Sequence, residues 1–167
     1  MSTSSAAWVI SLLRRRQETL ATAESLTGGM IGELLTGVPG ASAAYLGGVI
    51  SYATRLKATL AGVDEQTLEK LGPVAGLTAE EMARSVAERC AADWGLSVTG
   101  VAGPEKQDGH PVGQVFVGVA RPATGYTRVV ELALHGSRQQ IREQTAERAL
   151  ELLADVLGMN PDRAGVE

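Results

Sequence analysis

Short apolar runs of strand length alternate with stretches of helical periodicity along this chain, and glycines gather at the joints between them. Parallel strands need a long crossover, usually a helix that must bury its own apolar stripe, so such a pattern folds as a sheet covered on both faces. Of the 20 glycines, seven fall between Gly28 and Gly48 and six between Gly95 and Gly118, each window lying where a strand gives way to a helix or loop. The periodicity predicts a helix over 5–16, a strand over 19–23, a helix over 30–35, a strand over 44–52 and a helix over 55–60. Turn signals surround Gly62 and Gly72-Pro73, after which Thr78-x-x-Glu81 has the form of a capping box and predicts a helix through Met82, Val86 and Cys90. Trp8 and Met82, at helical positions, read as core. A buried strand over 95–102 and a polar loop over 103–113 come next, then β-rich runs over 114–120 and 126–134 that a turn at 121–125 joins as a hairpin. Ser137-x-x-Gln140 has the form of another capping box and opens the longest helix, with Ile141, Ala149, Leu152, Leu153 and Val156 on one side. The expected fold is a single-domain three-layer α/β/α sandwich with a mixed, mostly parallel sheet over residues 1–158, followed by a flexible tail over 159–167.

Composition narrows the function. The 15 Lys and Arg against 19 Asp and Glu leave a net charge of −4 with no long basic block, which argues against binding nucleic acid or an anionic membrane surface. A single cysteine, Cys90, excludes an intrachain disulfide framework and a cysteine-ligated cluster, which suits a reducing cytoplasm. No basic segment leads into an apolar stretch at the N-terminus, and no apolar run approaches the ~20 residues that a bilayer requires. His110 and His135 lack ligand spacing, so no metal site is expected.

Sites in open α/β sheets form where strands end and helices begin, because helix N-termini present unpaired N–H groups. Ser25 and Thr27 lie there, followed by Gly28 and Gly29. They read either as an ordinary helix N-cap or as hydroxyls and bare amides converging on one point. The chain carries twelve Arg but only three Lys, at 57, 70 and 106. Lysine, unlike arginine, can lose its proton in a desolvated site and act as a base. Lys57, five residues after Tyr52, could share a cleft with it, giving a hydroxyl nucleophile with a Lys base and a Tyr to relay or position the proton; the alternative is a surface Lys beside a half-buried Tyr. The second window, Thr99-Gly100-Val101-Ala102-Gly103-Pro104, permits close backbone approach to a ligand. Arg138, opening the last helix, is a candidate partner for a phosphate or carboxylate.

Six ordered blocks, TAESLTGG (22–29), VPGAS (38–42), GGVISYATRLKATLAGV (47–63), SVTGVAGP (97–104), HPVGQV (110–115) and GSRQQIR (136–142), resemble the CinA C-terminal domain family, the nicotinamide mononucleotide deamidases. The likeness runs from about residue 12 to 157 and implies the stand-alone amidase form. It implies hydrolysis of the nicotinamide mononucleotide carboxamide to nicotinate mononucleotide and ammonia, with no metal or organic cofactor and with self-association into a homo-oligomer. By motif position it makes Ser25 the nucleophile and Tyr52 and Lys57 its assistants. The expected oxyanion donors are backbone N–H groups of Thr27, Gly28 and Gly29 with the Ser42 hydroxyl; Thr99, Gly100, Gly103 and Arg138 are expected around the substrate, the last three toward its phosphate. The chain departs from the family pattern at Leu26, where Cys is usual, at Ala53-Thr54-Arg55, at Ala75 and in a shorter loop over 105–110. The other readings are a relative that binds a nucleotide without hydrolysing it and an amidase for a different small amide.

Overall fold

The structure is a computed structural model and describes residues 2–159, so all but the first residue of the expected tail lies outside the described residues. Helix α1 (Ser5–Arg16) starts where the Ser4 side chain accepts a hydrogen bond from the Ala7 N–H, and it ends on three arginines that complement the helix dipole. Its buried stripe is Ala6, Val9, Ile10 and Leu13. Trp8, expected in the core, is instead 45% exposed. Two positions past Ala6 it points away from that stripe, and its ring meets the Arg15 guanidinium at 5.2 Å.

Strand β1 (Leu20–Glu24) is buried throughout. Helix α2 (Met30–Thr36), strand β2 (Tyr45–Ile50) and helices α3 (Thr54–Thr59), α4 (Glu65–Leu71) and α5 (Gly76–Arg89) follow. Strands β3 (Trp94–Gly100), β4 (Gln114–Arg121) and β5 (Tyr126–Ala133) complete the sheet, and helix α6 (Arg138–Gly158) closes the fold. The strand order is β2-β1-β3-β4-β5. β1 pairs in parallel with β2 and β3, whereas β4 runs antiparallel to β3 and β5. The expected sandwich with a mixed sheet is the observed fold, and β4 alone runs against the common direction.

Strand alternation sorts β1 between the layers. Leu20 joins the core that α1, α2 and α6 cover, while Ala21 and Ala23 pack with Met82 and Val86 of α5. Met82 is core, as its position implies. Glycine lets α5 lie directly on the sheet: a Cβ on Gly95 would overlap the Ala83 carbonyl, and one on Gly118 would overlap that of Ala79. These two members of the second glycine window therefore serve helix–sheet packing.

Two local expectations change. The run over 65–71 forms α4, capped by Asp64, whose carboxylate accepts from the Gln66 N–H. The Thr78-x-x-Glu81 pattern is no cap, because α5 begins at Gly76 with no side-chain cap at Ala75. Thr78 donates its hydroxyl to the Gly72 carbonyl, and Glu81 accepts from the Asp64 N–H and the Thr67 hydroxyl, tying α5 to α4. Ser137 and Gln140 do form a reciprocal capping box.

Candidate active site

The C-terminal ends of the parallel strands bring together residues far apart in sequence. Ser25 follows β1, Ser51 and Tyr52 follow β2, Thr99 and Gly100 end β3, and Arg138 opens α6. Ser25, Leu26, Tyr52, Lys57, Thr99, Gly103 and Arg138 all line one cleft. Glu105 and Gln107, from the loop over 105–110 that departs from the family pattern, also line it, as do Pro73 and Val74, which were not expected there because nothing in their spacing ties them to Ser25.

At the floor, Lys57 is only 2% exposed and Ser25 only 6%. The Lys57 ammonium donates to Ser25 Oγ at 2.9 Å, to the Ser51 carbonyl at 2.7 Å and more distantly to the Tyr52 carbonyl at 3.5 Å. All three acceptors are uncharged. Burial therefore lowers the Lys57 pKa from 10.5 to about 8. A lysine in this state can exchange a proton with the serine it touches. Ser25 Oγ takes no part in capping α2, whose N-cap position is Gly29.

Tyr52 takes a different place from the expected relay. Strand alternation buries Ser51 and turns Tyr52 outward, 61% exposed. Its hydroxyl accepts from Arg138 at 2.9 Å, and only its backbone carbonyl approaches Lys57. Arg138 also donates to the Gly103 carbonyl, so its guanidinium bridges the mouth of the cleft from Tyr52 to the loop after β3.

The oxyanion expectations are corrected in part. Ser42 sits on an exposed turn ahead of β2, outside the cleft. A six-residue strand spans roughly 20 Å, which separates Ser42 from the opposite end where Ser25 lies. The Gly28 N–H donates to the Ser25 carbonyl, the Gly29 N–H to Glu24 Oε1 and the Thr27 hydroxyl to Glu24 Oε1. The glycines of this turn are thus engaged by the chain itself. The backbone N–H groups of Leu26 and Thr27 are left without a hydrogen bond among the described residues.

Glu24 explains the turn and was assigned no role in sequence. It is 2% exposed, and it also accepts from the N–H groups of Ile31 at 2.9 Å and Gly32 at 3.1 Å. The anion at this helix start is an internal carboxylate. An acid immediately before a Gly-rich turn and a helix was the available signal, because helix N-termini favour negative charge.

The second window is likewise structural in part. A Cβ on Gly100 would meet the Gln114 and Val115 backbone of β4, and the Thr99 hydroxyl donates to the Pro73 carbonyl at 2.6 Å, holding the cleft wall. The Val101 N–H is taken by the Gln114 carbonyl.

The sequence profile of the CinA C-terminal domain matches residues 2–157. The chain belongs to the CinA C-terminal domain family. A CinA-like protein of Frankia casuarinae is 47% identical over 154 residues, covering 92% of this chain and 35% of that protein. One from Thermosynechococcus vestitus is 45% identical, covering 92% and 37%. This CinA domain thus spans about a third of the length of those curated relatives. Among solved structures, the competence/damage inducible protein CihA of Agrobacterium tumefaciens superposes with a TM-score of 0.87 at 32% identity, over 95% of this chain and 100% of that one. The competence damage-inducible protein A of Klebsiella pneumoniae gives 0.89 at 27% identity, over 95% and 99%. No helix among the described residues is long and apolar enough to cross a membrane.

Proposed function

We propose that this CinA domain is an amidohydrolase that converts nicotinamide mononucleotide to nicotinate mononucleotide and ammonia. The observation that carries the reading is the buried Lys57–Ser25 hydrogen bond, with a lysine whose proton is loosened by desolvation. In its neutral form Lys57 Nζ takes the Ser25 proton as Oγ attacks the carboxamide carbon, and the carbonyl π electrons move onto oxygen. The Leu26 and Thr27 N–H groups receive that oxyanion. Collapse re-forms the carbonyl and breaks the C–N bond; the Lys57 ammonium returns its proton to the leaving nitrogen, releasing ammonia and an acyl ester on Ser25. Water, losing a proton to Lys57, attacks the ester carbon; collapse breaks the bond to Ser25 Oγ, which takes the proton back from Lys57, and the acid leaves as its carboxylate. Arg138 at the cleft mouth supports the substrate class, since a guanidinium suits the phosphate of a mononucleotide. The reaction requires no metal or organic cofactor.

Ammonia release from nicotinamide mononucleotide by wild type and Ser25→Ala tests the reading. Release by wild type and none by Ser25→Ala is expected. A wild-type protein that is stabilised by the nucleotide yet releases no ammonia is a binding module instead; release from other small amides alone reassigns the substrate.

Self-association is proposed through strand β2, an outer strand of the sheet. No charged residue lies between Glu33 and Arg55, and Leu46 and Ile50 are about half exposed, so nothing on this edge repels a second copy. Light scattering should give a multiple of the chain mass for wild type and the single-chain mass for Ile50→Lys; a monomeric wild type removes the proposal.

A further inference from the structure

Arg142, one helical turn beyond Arg138 on α6, does not line the cleft, yet it touches the serine turn. Its Nε donates to the Leu26 carbonyl at 2.9 Å, and one terminal nitrogen donates to the Thr27 carbonyl at 3.2 Å. The other terminal nitrogen donates to Gln139 Oε1 at 2.8 Å, which holds the guanidinium plane. One rigid cation thus grips two consecutive carbonyls immediately after the proposed nucleophile.

A trans peptide sets its N–H antiparallel to its C=O. The Leu26 carbonyl and the Thr27 N–H belong to one peptide unit, so anchoring the former on Arg142 turns the latter to the opposite side. The turn that the Gly28 N–H closes on the Ser25 carbonyl keeps this peptide beside Ser25, with the Thr27 N–H unpaired among the described residues. The adjoining unit is fixed as well, because the Thr27 carbonyl shares it with the Gly28 N–H, which closes the turn on the Ser25 carbonyl at 3.1 Å. No other side chain holds the Leu26 carbonyl among the described residues. The Thr27 carbonyl also accepts from the Met30 N–H and the Thr27 hydroxyl is held by Glu24, so Arg142 is the one partner that sets the tilt of the Leu26–Thr27 peptide itself. The guanidinium also polarises the peptide it grips, which strengthens the N–H on the far side as a donor.

We infer that Arg142 is a positioning residue that orients the Leu26–Thr27 peptide so that the Thr27 N–H serves as oxyanion donor to the Ser25 reaction. The inference rests on the amidase reading. It assigns Arg142 an effect on the rate of acyl transfer and none on substrate capture, which separates it from Arg138 at the mouth.

The test is the pre-steady-state acylation of Ser25 by p-nitrophenyl acetate, followed as p-nitrophenolate release, in wild type, Arg142→Ala, Arg142→Lys and Ser25→Ala. In this step Ser25 Oγ bonds to the acetyl carbon, Lys57 accepts the hydroxyl proton and the ester C–O bond breaks. The burst amplitude counts folded active sites, and the rate constant reports oxyanion stabilisation in each of them. Arg142→Ala should lower the rate constant by about 10²-fold, the usual cost of one oxyanion donor. Arg142→Lys, which keeps a charge but can grip only one carbonyl well, should fall between. With nicotinamide mononucleotide, kcat should drop in parallel while KM stays within about twofold. A merely structural arginine would reduce the amplitude and leave the rate constant intact, and that result overturns the inference while leaving the amidase reading standing. Absence of Ser25-dependent acylation in wild type sinks both.

Discussion

Lys57→Met should release ammonia from nicotinamide mononucleotide about 10²–10⁴-fold more slowly than wild type, the range a general base contributes. Lys57 Nζ is the only titratable atom hydrogen bonded to Ser25 Oγ among the described residues, so no neighbour can take over its proton. Because the base must be neutral, wild-type kcat/KM should rise tenfold per pH unit and level off above about 8, where the buried amine has lost its proton. The variant should show no such limb. Stability carries the same signature with a definite sign. The folded-state value of about 8 lies below the ordinary 10.5, so the unfolded chain holds the proton more tightly between the two. Wild type therefore gains stability as pH rises from about 8 to 10.5, by up to ~3 kcal/mol, and Lys57→Met lacks that gain. The variant should still fold near neutrality, because it discards the cost of a buried ammonium together with its hydrogen bonds. Retention of more than a tenth of the activity would remove Lys57 from the role of base.

Glu24→Ala is expected to lower the stability of the domain by about 3–5 kcal/mol, a large share of the ~5–15 kcal/mol typical of folded proteins. Its carboxylate is the shared acceptor for the Thr27 hydroxyl and the N–H groups of Gly29, Ile31 and Gly32. Water reaches this place poorly, and a buried donor left without an acceptor costs ~1–3 kcal/mol. Glu24→Gln should fall between wild type and Glu24→Ala. Its amide keeps one acceptor oxygen but turns an NH₂ group on donors such as the Gly32 N–H. Urea midpoints measure both losses. A Glu24→Ala protein within ~1 kcal/mol of wild type would mean that water has taken over the four donors.

The strands were legible as apolar or β-rich runs of strand length, buried on both faces in β1 and nearly so in β3, and half exposed in β2 and β5. The pairing of Ser25 with Lys57 was legible only as a motif: neither residue's spacing predicts that α3 folds back over the end of β1. Tyr52 shows why. Whether a residue just past a strand faces the cleft is decided by strand parity and by the start of the next helix, and a shift of one residue reverses the outcome. The sequence placed a hydroxyl near the serine, whereas the fold sends it to Arg138. Thr78 and Glu81 misled for another reason, since a threonine followed three residues later by an acid can serve tertiary partners just as well as its own helix end. Ser42 failed because neighbours in a motif alignment can lie at opposite ends of a strand. The glycine windows mixed two purposes, and only backbone contacts distinguish Gly95, which admits a helix, from Gly28, which bends a turn.

The strand that carries Ser25 has a hydrogen-bonded neighbour on each side. Its amides can exchange with solvent only by openings that break two ladders at once, among the costliest short of global unfolding. The mouth, by contrast, is bridged by one exposed arginine reaching a tyrosine hydroxyl and a loop carbonyl. Access to the cleft and integrity of its floor are thus separated by a wide gap in opening free energy. A ligand can displace the bridge many times over while Ser25, at the end of that strand, never leaves its register.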